Sequence, residues 1–331
     1  MRPYSGVLCG RARIEIARAI KSSPSSFHYM NDKALKEHLG FWDTVFMVIT
    51  TLLWGANLVA IKIAFEGISP ICTAALRFVL GALAVMIWML IRRIPFRLSA
   101  RGFADMFALS LTCTLGFALF NVGLDRTTVV HGAIFLYTTP FFVAILAHFF
   151  TSLDRLNIRK IISISTAFAG VVLVLSRSSG AKEASTIGDL MVMGYAVVWA
   201  VQILWMQALI KRISATTMAF YTFFFTAPQL LAVAYIFKEP MVFDPTLRVG
   251  LSLLFQGVLV GGFTYIFWNY LLSKYTAVQL SVFTLFTPIF GVLFGAIIRH
   301  ERVGPEVVLG LAMVVTGLWL IRPSQAPPIV E

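Results

Sequence analysis

The chain has 331 residues, of which 59% are hydrophobic and 13% are charged, and its formal net charge is +12. Soluble domains average roughly 45 to 50% apolar and 25% charged residues, so this composition excludes a disordered, fibrous or nucleic-acid-binding chain and indicates a surface covered by lipid. Basic residues held in cytoplasmic loops then explain the positive charge better than an anionic partner does.

Ten apolar runs, each about as long as the 20 residues that a helix needs to cross a bilayer, follow one another with short connections. None of them alternates as the strands of a membrane barrel do. The sequence therefore predicts an all-α integral membrane protein with ten transmembrane helices in one bundle. The predicted spans are residues 41–61, 70–91, 103–122, 128–150, 158–176, 188–209, 216–237, 248–272, 277–298 and 304–322.

Lysine and arginine are distributed unequally between the two sides of these spans. The N-terminal segment and the connections on its side hold 18 of them, whereas the opposite connections hold 8. By the positive-inside rule, both termini are predicted to be cytoplasmic. Residues 1–40 then form a basic cytoplasmic head and 323–331 a cytoplasmic tail. Residues 1–29 are either an expressed, partly amphipathic segment or a start-site artefact upstream of Met30.

The two halves of the chain resemble each other. A shift of 148 residues aligns identical side chains, among them Asn121 with Asn269, Thr139 with Thr287 and Pro140 with Pro288, and a shift of 145 aligns Trp54 with Trp199. Five helices per repeat is an odd number, so the second copy must enter the membrane from the opposite side. We therefore predict two inverted five-helix repeats, 41–176 and 188–322, joined by an external linker at 177–187, an architecture typical of transporters.

Several short motifs carry a family resemblance. The stretch Trp54–Lys62, followed by Ile68–Pro70 and Ala75–Phe78, is similar to the opening of EamA-type members of the drug/metabolite transporter superfamily. The Thr-Pro pairs of spans 4 and 9 and the Glu301-Arg302 turn fit the rest of that pattern. The resemblance implies a multi-pass carrier of the inner membrane that exports amino acids, related small metabolites or drugs by alternating access.

Polar and aromatic residues recur in the same rhythm on one face of spans 1 and 6. A side-chain amide that faces hydrocarbon costs several kcal/mol, so these amides should point into the bundle, toward either a cavity or a neighbouring helix. The prolines of spans 4 and 9 should kink their helices and free two carbonyls near a cavity, although such kinks also serve packing alone. The predicted substrate cavity comprises Trp54, Asn57, Tyr137, Thr139, Pro140, Tyr195, Trp199, Gln202, Thr287 and Pro288. Second-tier candidates are Asn121, Tyr265, Trp268, Asn269 and Gln279.

Arg77 is the one formal charge placed clearly within a span. It is a candidate gate or anion contact, but an arginine near the membrane surface can also snorkel or pair with Glu66. The other predicted cavity residues carry no fixed charge, which favours neutral, zwitterionic or aromatic cationic solutes, the last through cation–π contacts.

The alternative class is an integral-membrane enzyme that acts on a lipid or isoprenoid. Such an enzyme needs a nucleophile with its base, a metal cluster or paired carboxylates, and the sequence contains no motif for any of these and no carboxylate in the middle of a span. We expect no enzyme activity, no cofactor and no metal. The expected partners are a small-molecule substrate and the lipid bilayer. The small-residue motifs Gly257–Gly261 and Gly291–Gly295 are interpreted as packing within a monomer rather than as a dimer interface.

Overall fold

The computed structural model describes residues 39–127, 129–151, 156–176, 185–239, 244, 246–290 and 305–320. The predicted linker up to residue 184, the predicted tail, and the predicted head except for its last two residues lie outside this part of the chain. No strand occurs among the described residues, which confirms the all-α prediction.

The helices follow the predicted spans closely, with boundaries that differ by four residues or fewer where both ends are described. Seven of them are long and apolar enough to cross a membrane: Phe41–Ala64, Pro70–Ile91, Ala100–Arg126, Gly132–Phe150, Thr186–Leu209, Ala215–Ile236 and Leu247–Leu272. The helix of the predicted fourth span, α4, is divided into two parts, and the helix of the ninth span is described only as far as Phe290. The bounds are α1 Phe41–Ala64, α2 Pro70–Ile91, α3 Ala100–Arg126, α4a Val129–Leu136, α4b Thr139–Phe150, α5 Ile158–Ser176, α6 Thr186–Leu209, α7 Ala215–Ile236, α8 Leu247–Leu272, α9 Ala277–Phe290 and α10 Pro305–Leu320.

Side-chain caps fix several helix starts, because each satisfies a backbone N–H that the first turn leaves free. The Ser99 hydroxyl accepts from the Gly102 N–H at 3.0 Å, so α3 begins three residues before its predicted span. Ser214 caps α7 and Thr276 caps α9 in the same way. These caps lie in the short connections, which orders the turns at the ends of the bundle.

The prolines of the fourth and ninth spans change the helices as predicted, but the carbonyls that they free do not stay free. Before Pro140 the helix breaks between α4a and α4b, and the Thr139 hydroxyl donates to the Leu136 carbonyl at 2.6 Å. Before Pro288 the helix tightens into a 3₁₀ turn, in which the Thr287 N–H donates to the Thr284 carbonyl. The expectation of unsatisfied carbonyls is therefore wrong.

The helices pack in a pattern that relates the two halves of the chain. Helix α1 contacts α8 and α9, whereas α6 contacts α3 and both parts of α4. Helix α2 packs on α7, and α5 packs on α10. Many large apolar side chains around this bundle are exposed, as expected of surfaces that face lipid tails; they include Trp42, Ile87, Phe107, Phe149 and Trp319.

Glycines allow two helix pairs, α2 with α8 and α5 with α10, to approach closely. A Cβ on Gly257 would lie 2.4 Å from the Cβ of Leu80, so the first small-residue motif packs against α2 of the same chain. Gly170 and Gly317 face the partner backbone in the α5–α10 pair, where an added Cβ would meet a carbonyl oxygen at 2.6 Å in each case. The motif at 291–295 lies outside the described residues.

Candidate functional site

A cavity of about 100 Å³ lies within the bundle, between side chains of α1, α2, α3, α4, α6, α8 and α9. By the same kind of measure, a cavity needs about 10 to 15 Å³ to admit a single water, so this one has room for several waters or one compact solute. Its lining residues are Trp54, Asn57, Leu58, Arg77, Phe117, Phe120, Leu136, Tyr137, Thr139, Tyr195, Trp199, Val260, Tyr265 and Thr284.

The structure brings six of the ten predicted cavity residues together in this wall. They come from the stripes on α1 and α6 and from the break in α4, and Tyr265 of the second tier joins them. The six are Trp54, Asn57, Tyr137, Thr139, Tyr195 and Trp199.

The other four predicted residues, Pro140, Gln202, Thr287 and Pro288, are buried but do not line the cavity. The Gln202 amide donates to the Thr112 hydroxyl at 3.3 Å, which is the helix-to-helix role that the sequence left open. The two prolines and Thr287 do not line the cavity themselves. They shape the turns that place Thr139 and Thr284 in its wall.

A continuous array of aromatic rings forms one side of the cavity. The ring centroids of Trp54 and Trp268 lie 5.3 Å apart, and Trp199 stacks on Trp268 at 6.4 Å. Tyr195 stacks on Trp199 and lies 4.7 Å from Phe120. Each such pair contributes about 0.5 to 1.5 kcal/mol beyond its buried area. Trp268 is fully buried behind the wall and supports the two tryptophans that face the cavity.

A π-helical segment in α8, Phe255–Thr264, places the side chains opposite that array. The Thr264 hydroxyl accepts from the Trp54 indole N–H at 2.8 Å and donates to the Val260 carbonyl. Tyr265 follows directly and lines the cavity. Segments of this kind occur frequently at functional sites. Its three glycines are the only sequence signal that could have indicated it, and their spacing does not distinguish a π-helix from close packing.

Arg77 contributes a positive charge to the wall. Its guanidinium lies 5.1 Å from the centroid of the Phe117 ring, at cation–π distance. Glu66 instead pairs with Arg248 at 3.5 Å, so the alternative in which Glu66 neutralises Arg77 is wrong. Because Arg77 lies in the same wall as the predicted cavity residues, the expectation of a lining without fixed charge, which favoured neutral, zwitterionic or aromatic cationic solutes, is wrong.

Sequence reasoning missed six lining residues: Leu58, Phe117, Phe120, Leu136, Val260 and Thr284. Four of them, Leu58, Phe117, Phe120 and Val260, are apolar residues among many others in their spans, so only the packing of the helices distinguishes them. Leu136 and Thr284 carried a weak signal, since each lies one helical turn before a proline.

Contacts at one end of the bundle join α1 and α6 to the turn between α3 and α4. The Lys62 ammonium donates to the carbonyl oxygens of Thr127 and Leu124, and the Thr127 hydroxyl donates to the Asp189 carboxylate. We call Lys62, Thr127 and Asp189 the Thr127 clasp. It ties the end of α1 and the start of α6 to the same turn residue.

Matching contacts at the other end join the same two helices to the turn between α8 and α9. The Gln207 amide donates to the Tyr275 carbonyl at 2.9 Å, and the Tyr275 hydroxyl donates to Asp43 at 2.7 Å. Burial raises the pKa of the Tyr275 phenol, so its hydroxyl remains a donor at neutral pH. Gln207, Tyr275 and Asp43 form the Tyr275 clasp, and Lys274 adds an ion pair to Asp43 at 3.3 Å.

Comparison with known proteins identifies a family whose model matches both halves of the chain. The model of the EamA-like transporter family matches the chain twice, over residues 42–176 and 186–322. The transporter YoaV of Bacillus subtilis (strain 168) is 24% identical over 276 residues, which cover 83% of this chain and 94% of that protein. A protein of Escherichia coli (strain K12) named "Probable amino-acid metabolite efflux pump" is 24% identical over 292 residues, which cover 84% of this chain and 94% of that protein.

The fold also has a counterpart of known structure. A chain in a crystal structure superposes with a TM-score of 0.71 at 18% identity, over 84% of this chain and 97% of the other. At this identity the likeness concerns the fold alone. The helical bundle, its apolar spanning helices and the double family match lead to one conclusion: the chain is a multi-pass membrane protein that belongs to the EamA-like transporter family, within the drug/metabolite transporter superfamily.

Proposed function

We propose that the protein is a monomeric carrier of the inner membrane that exports amino acids or related small metabolites by alternating access. The observation that carries this proposal is the position of the cavity. The middle parts of α1 and α6 line it, and each of these helices begins in one clasp and ends in the other. A solute held there contacts both halves of the chain, as a site at the interface of two repeats must. The cavity residues named above are its proposed contacts.

Inverted repeats are supported by the correspondence of the clasps. Thr127 and Tyr275 are 148 residues apart and make equivalent contacts with α1 and α6. The backbone carbonyl of each accepts a hydrogen bond from a side chain at the end of one of these helices, and its side-chain hydroxyl donates to a carboxylate at the start of the other. The first helix of each half packs against the third and fourth helices of the other half. Both the contacts and the double family match agree with repeats of five helices, 41–176 and 188–322, in a bundle of ten.

Alternating access is supported by the state of the two clasps. The contacts of both clasps are formed in this structure, and the residues of α1 and α6 that line the cavity lie between them along the chain. Opening the Thr127 clasp alone would admit solute from one side, and opening the Tyr275 clasp alone would admit it from the other. The conformational change then needs only the exchange of a few hydrogen bonds between otherwise rigid helices.

The size of the cavity favours compact solutes over larger drugs. An apolar cavity of about 150 Å³ binds benzene, so about 100 Å³ fits a small metabolite in this conformation. The Escherichia coli relative bears a name that refers to amino-acid metabolites, which is the same class. A lipid-modifying enzyme is disfavoured because, among the described residues that line the cavity, none is a carboxylate or a histidine that could serve as a general base.

Transport in inside-out membrane vesicles tests the proposal. Vesicles that contain the protein should accumulate at least one amino acid or small metabolite from a panel, whereas vesicles without it should not. Accumulation only of large drugs would contradict the substrate class. A panel that shows no flux in either direction would contradict the carrier itself.

The proposed orientation makes a separate prediction about accessibility. In a variant without Cys9, Cys72 and Cys113, a cysteine at Ser179 should react with a membrane-impermeant thiol reagent added to intact cells. A cysteine at Arg97, in the connection between α2 and α3, should react only after the cells are opened. The opposite pattern would place both termini outside and would contradict the orientation derived from the basic residues.

A further inference from the structure

Within the part of the chain that the structure describes, the guanidinium in the cavity wall has no anionic partner. Arg77 lies on α2, seven residues after the first residue of the helix, and faces the cavity beside Phe117. Among the described residues, no carboxylate oxygen lies within 4.0 Å of its nitrogens. A charge at this position is expensive unless it is paired or functional.

The carboxylates of the described residues are engaged or exposed elsewhere. All those whose side chains the structure describes lie at the ends of the bundle, in turns or in the first two turns or the last turn of a helix, and Asp125 and Asp244 are exposed there. The contacts of the others are Asp43 with Tyr275, Glu66 with Arg248, Asp105 with Arg212, Asp189 with Thr127, and Glu239 with the N-terminus of α2. None of these described carboxylates neutralises Arg77, whereas a solute that carries a negative charge would do so.

A second polar group in the wall also has no partner. Asn57 lines the cavity with only 8% of its surface exposed, and its Oδ1 makes no hydrogen bond in the described structure. An amide oxygen accepts hydrogen bonds, so it is complementary to an ammonium or hydroxyl group. The cost of leaving such an atom unpaired is recovered when a ligand donates to it.

We propose that the cavity selects compact solutes that carry a carboxylate, which binds Arg77, and that a donor group of the same solute, such as an ammonium, binds Asn57. This inference rests on the proposed function and names the substrate class of that same site. Leu58, Leu136 and Val260 provide the apolar contacts for a short side chain. A small aliphatic amino acid has all three features.

A carboxylate fits better than the other charged groups. A guanidinium presents two parallel donors that match the two oxygens of a carboxylate. A phosphate dianion would bring a second negative charge, for which the described lining offers no cationic side chain besides Arg77. An amine without a carboxylate would place two positive charges in one small cavity of low dielectric, where they repel strongly.

Binding to the purified protein tests the proposal with three related probes. L-Valine carries both groups, isovalerate lacks the ammonium group, and isobutylamine lacks the carboxylate. Their affinities can be measured by titration calorimetry or by the fluorescence of the cavity tryptophans. The wild type should bind valine most tightly, isovalerate less tightly and isobutylamine weakest.

Variants of the two polar groups separate their contributions. Arg77→Gln should weaken valine and isovalerate by about 10-fold to 100-fold, as expected for the loss of a hydrogen-bonded charge pair, and should not weaken isobutylamine. Arg77→Lys should keep the preference for carboxylates with lower affinity, because lysine lacks the paired donors. Asn57→Ala should weaken valine but not isovalerate.

Arg92→Gln is the matched control. Arg92 follows the same helix and also lies over an aromatic ring, Trp88, at 5.4 Å, but it is exposed at the end of the bundle, so its loss should change no affinity. Equal affinities for isovalerate and isobutylamine, or no saturable binding of valine at millimolar concentration, would overturn the inference. Because binding is measured without transport, its failure is distinguishable from a failure of vesicle export.

Discussion

Trp54→Ala and Trp199→Ala should each raise the substrate concentration for half-maximal transport by about 10-fold or more, with normal insertion in the membrane. Trp54 loses its hydrogen bond to Thr264 and its contact with Trp268, and Trp199 loses a stacked ring on the same support. One tenfold step corresponds to about 1.4 kcal/mol, which is close to the value of one or two aromatic contacts. The measurement is substrate flux in proteoliposomes that contain equal amounts of each variant.

Trp319→Ala provides the control for loss of a tryptophan as such. Trp319 lies on α10 and has 72% of its surface exposed, so it faces lipid rather than the cavity. This variant should transport like the wild type. Trp54→Phe should fall between the wild type and alanine, since it keeps a ring and loses the donor. Normal kinetics in a folded Trp54→Ala, Trp199→Ala double variant would exclude this cavity as the substrate site.

A cross-link across either clasp should abolish transport. In the cysteine-free background, one variant carries cysteines at Thr127 and Asp189, and another carries them at Asp43 and Tyr275. A short bifunctional reagent that forms disulfides with both cysteines would hold one end of the bundle closed. Alternating access requires both ends to open in turn, so each cross-link alone should stop flux, and a reductant should restore it.

The controls distinguish a locked clasp from chemical damage. The four single-cysteine variants should keep their flux after treatment with the same reagent. A cysteine pair at Ile158 and Ile162, one turn apart on the exposed face of α5, should be cross-linked without effect because it joins no moving parts. Continued flux through a protein with a fully cross-linked clasp would contradict alternating access at that end.

The helices were predictable because hydrophobic length is a strong signal in membrane proteins. The second span and α2 coincide at Pro70 and Ile91, since a proline begins the helix and arginines follow it. The start of α3 was missed because the Ser99 cap is a local hydrogen bond inside a polar stretch. The break in α4 was expected at Pro140, yet the hydroxyl of Thr139 that satisfies Leu136 was not.

The candidate site was predictable where a residue type is unusual for its surroundings. Trp54, Asn57 and Trp199 differ from the aliphatic residues of a lipid-facing helix, so their pattern alone indicated an inward face. Gln202 has the same signal but reaches Thr112 instead, because periodicity gives the face of a helix and not the neighbour opposite. The packing of α3 and the π-helical turn of α8 depend on contacts between halves, which no local pattern contains.

The double attachment of α1 and α6 has a mechanical consequence. Each helix has 24 residues and is therefore about 36 Å long, and each ends in one clasp and begins in the other. A rigid helix that tilts about its centre moves its two ends in opposite directions. A tilt that separates one end from its turn therefore brings the other end closer to the opposite turn. Simultaneous opening of both ends would need both helices to bend, so in the proposed mechanism the same geometry that moves the solute would also keep the membrane from leaking.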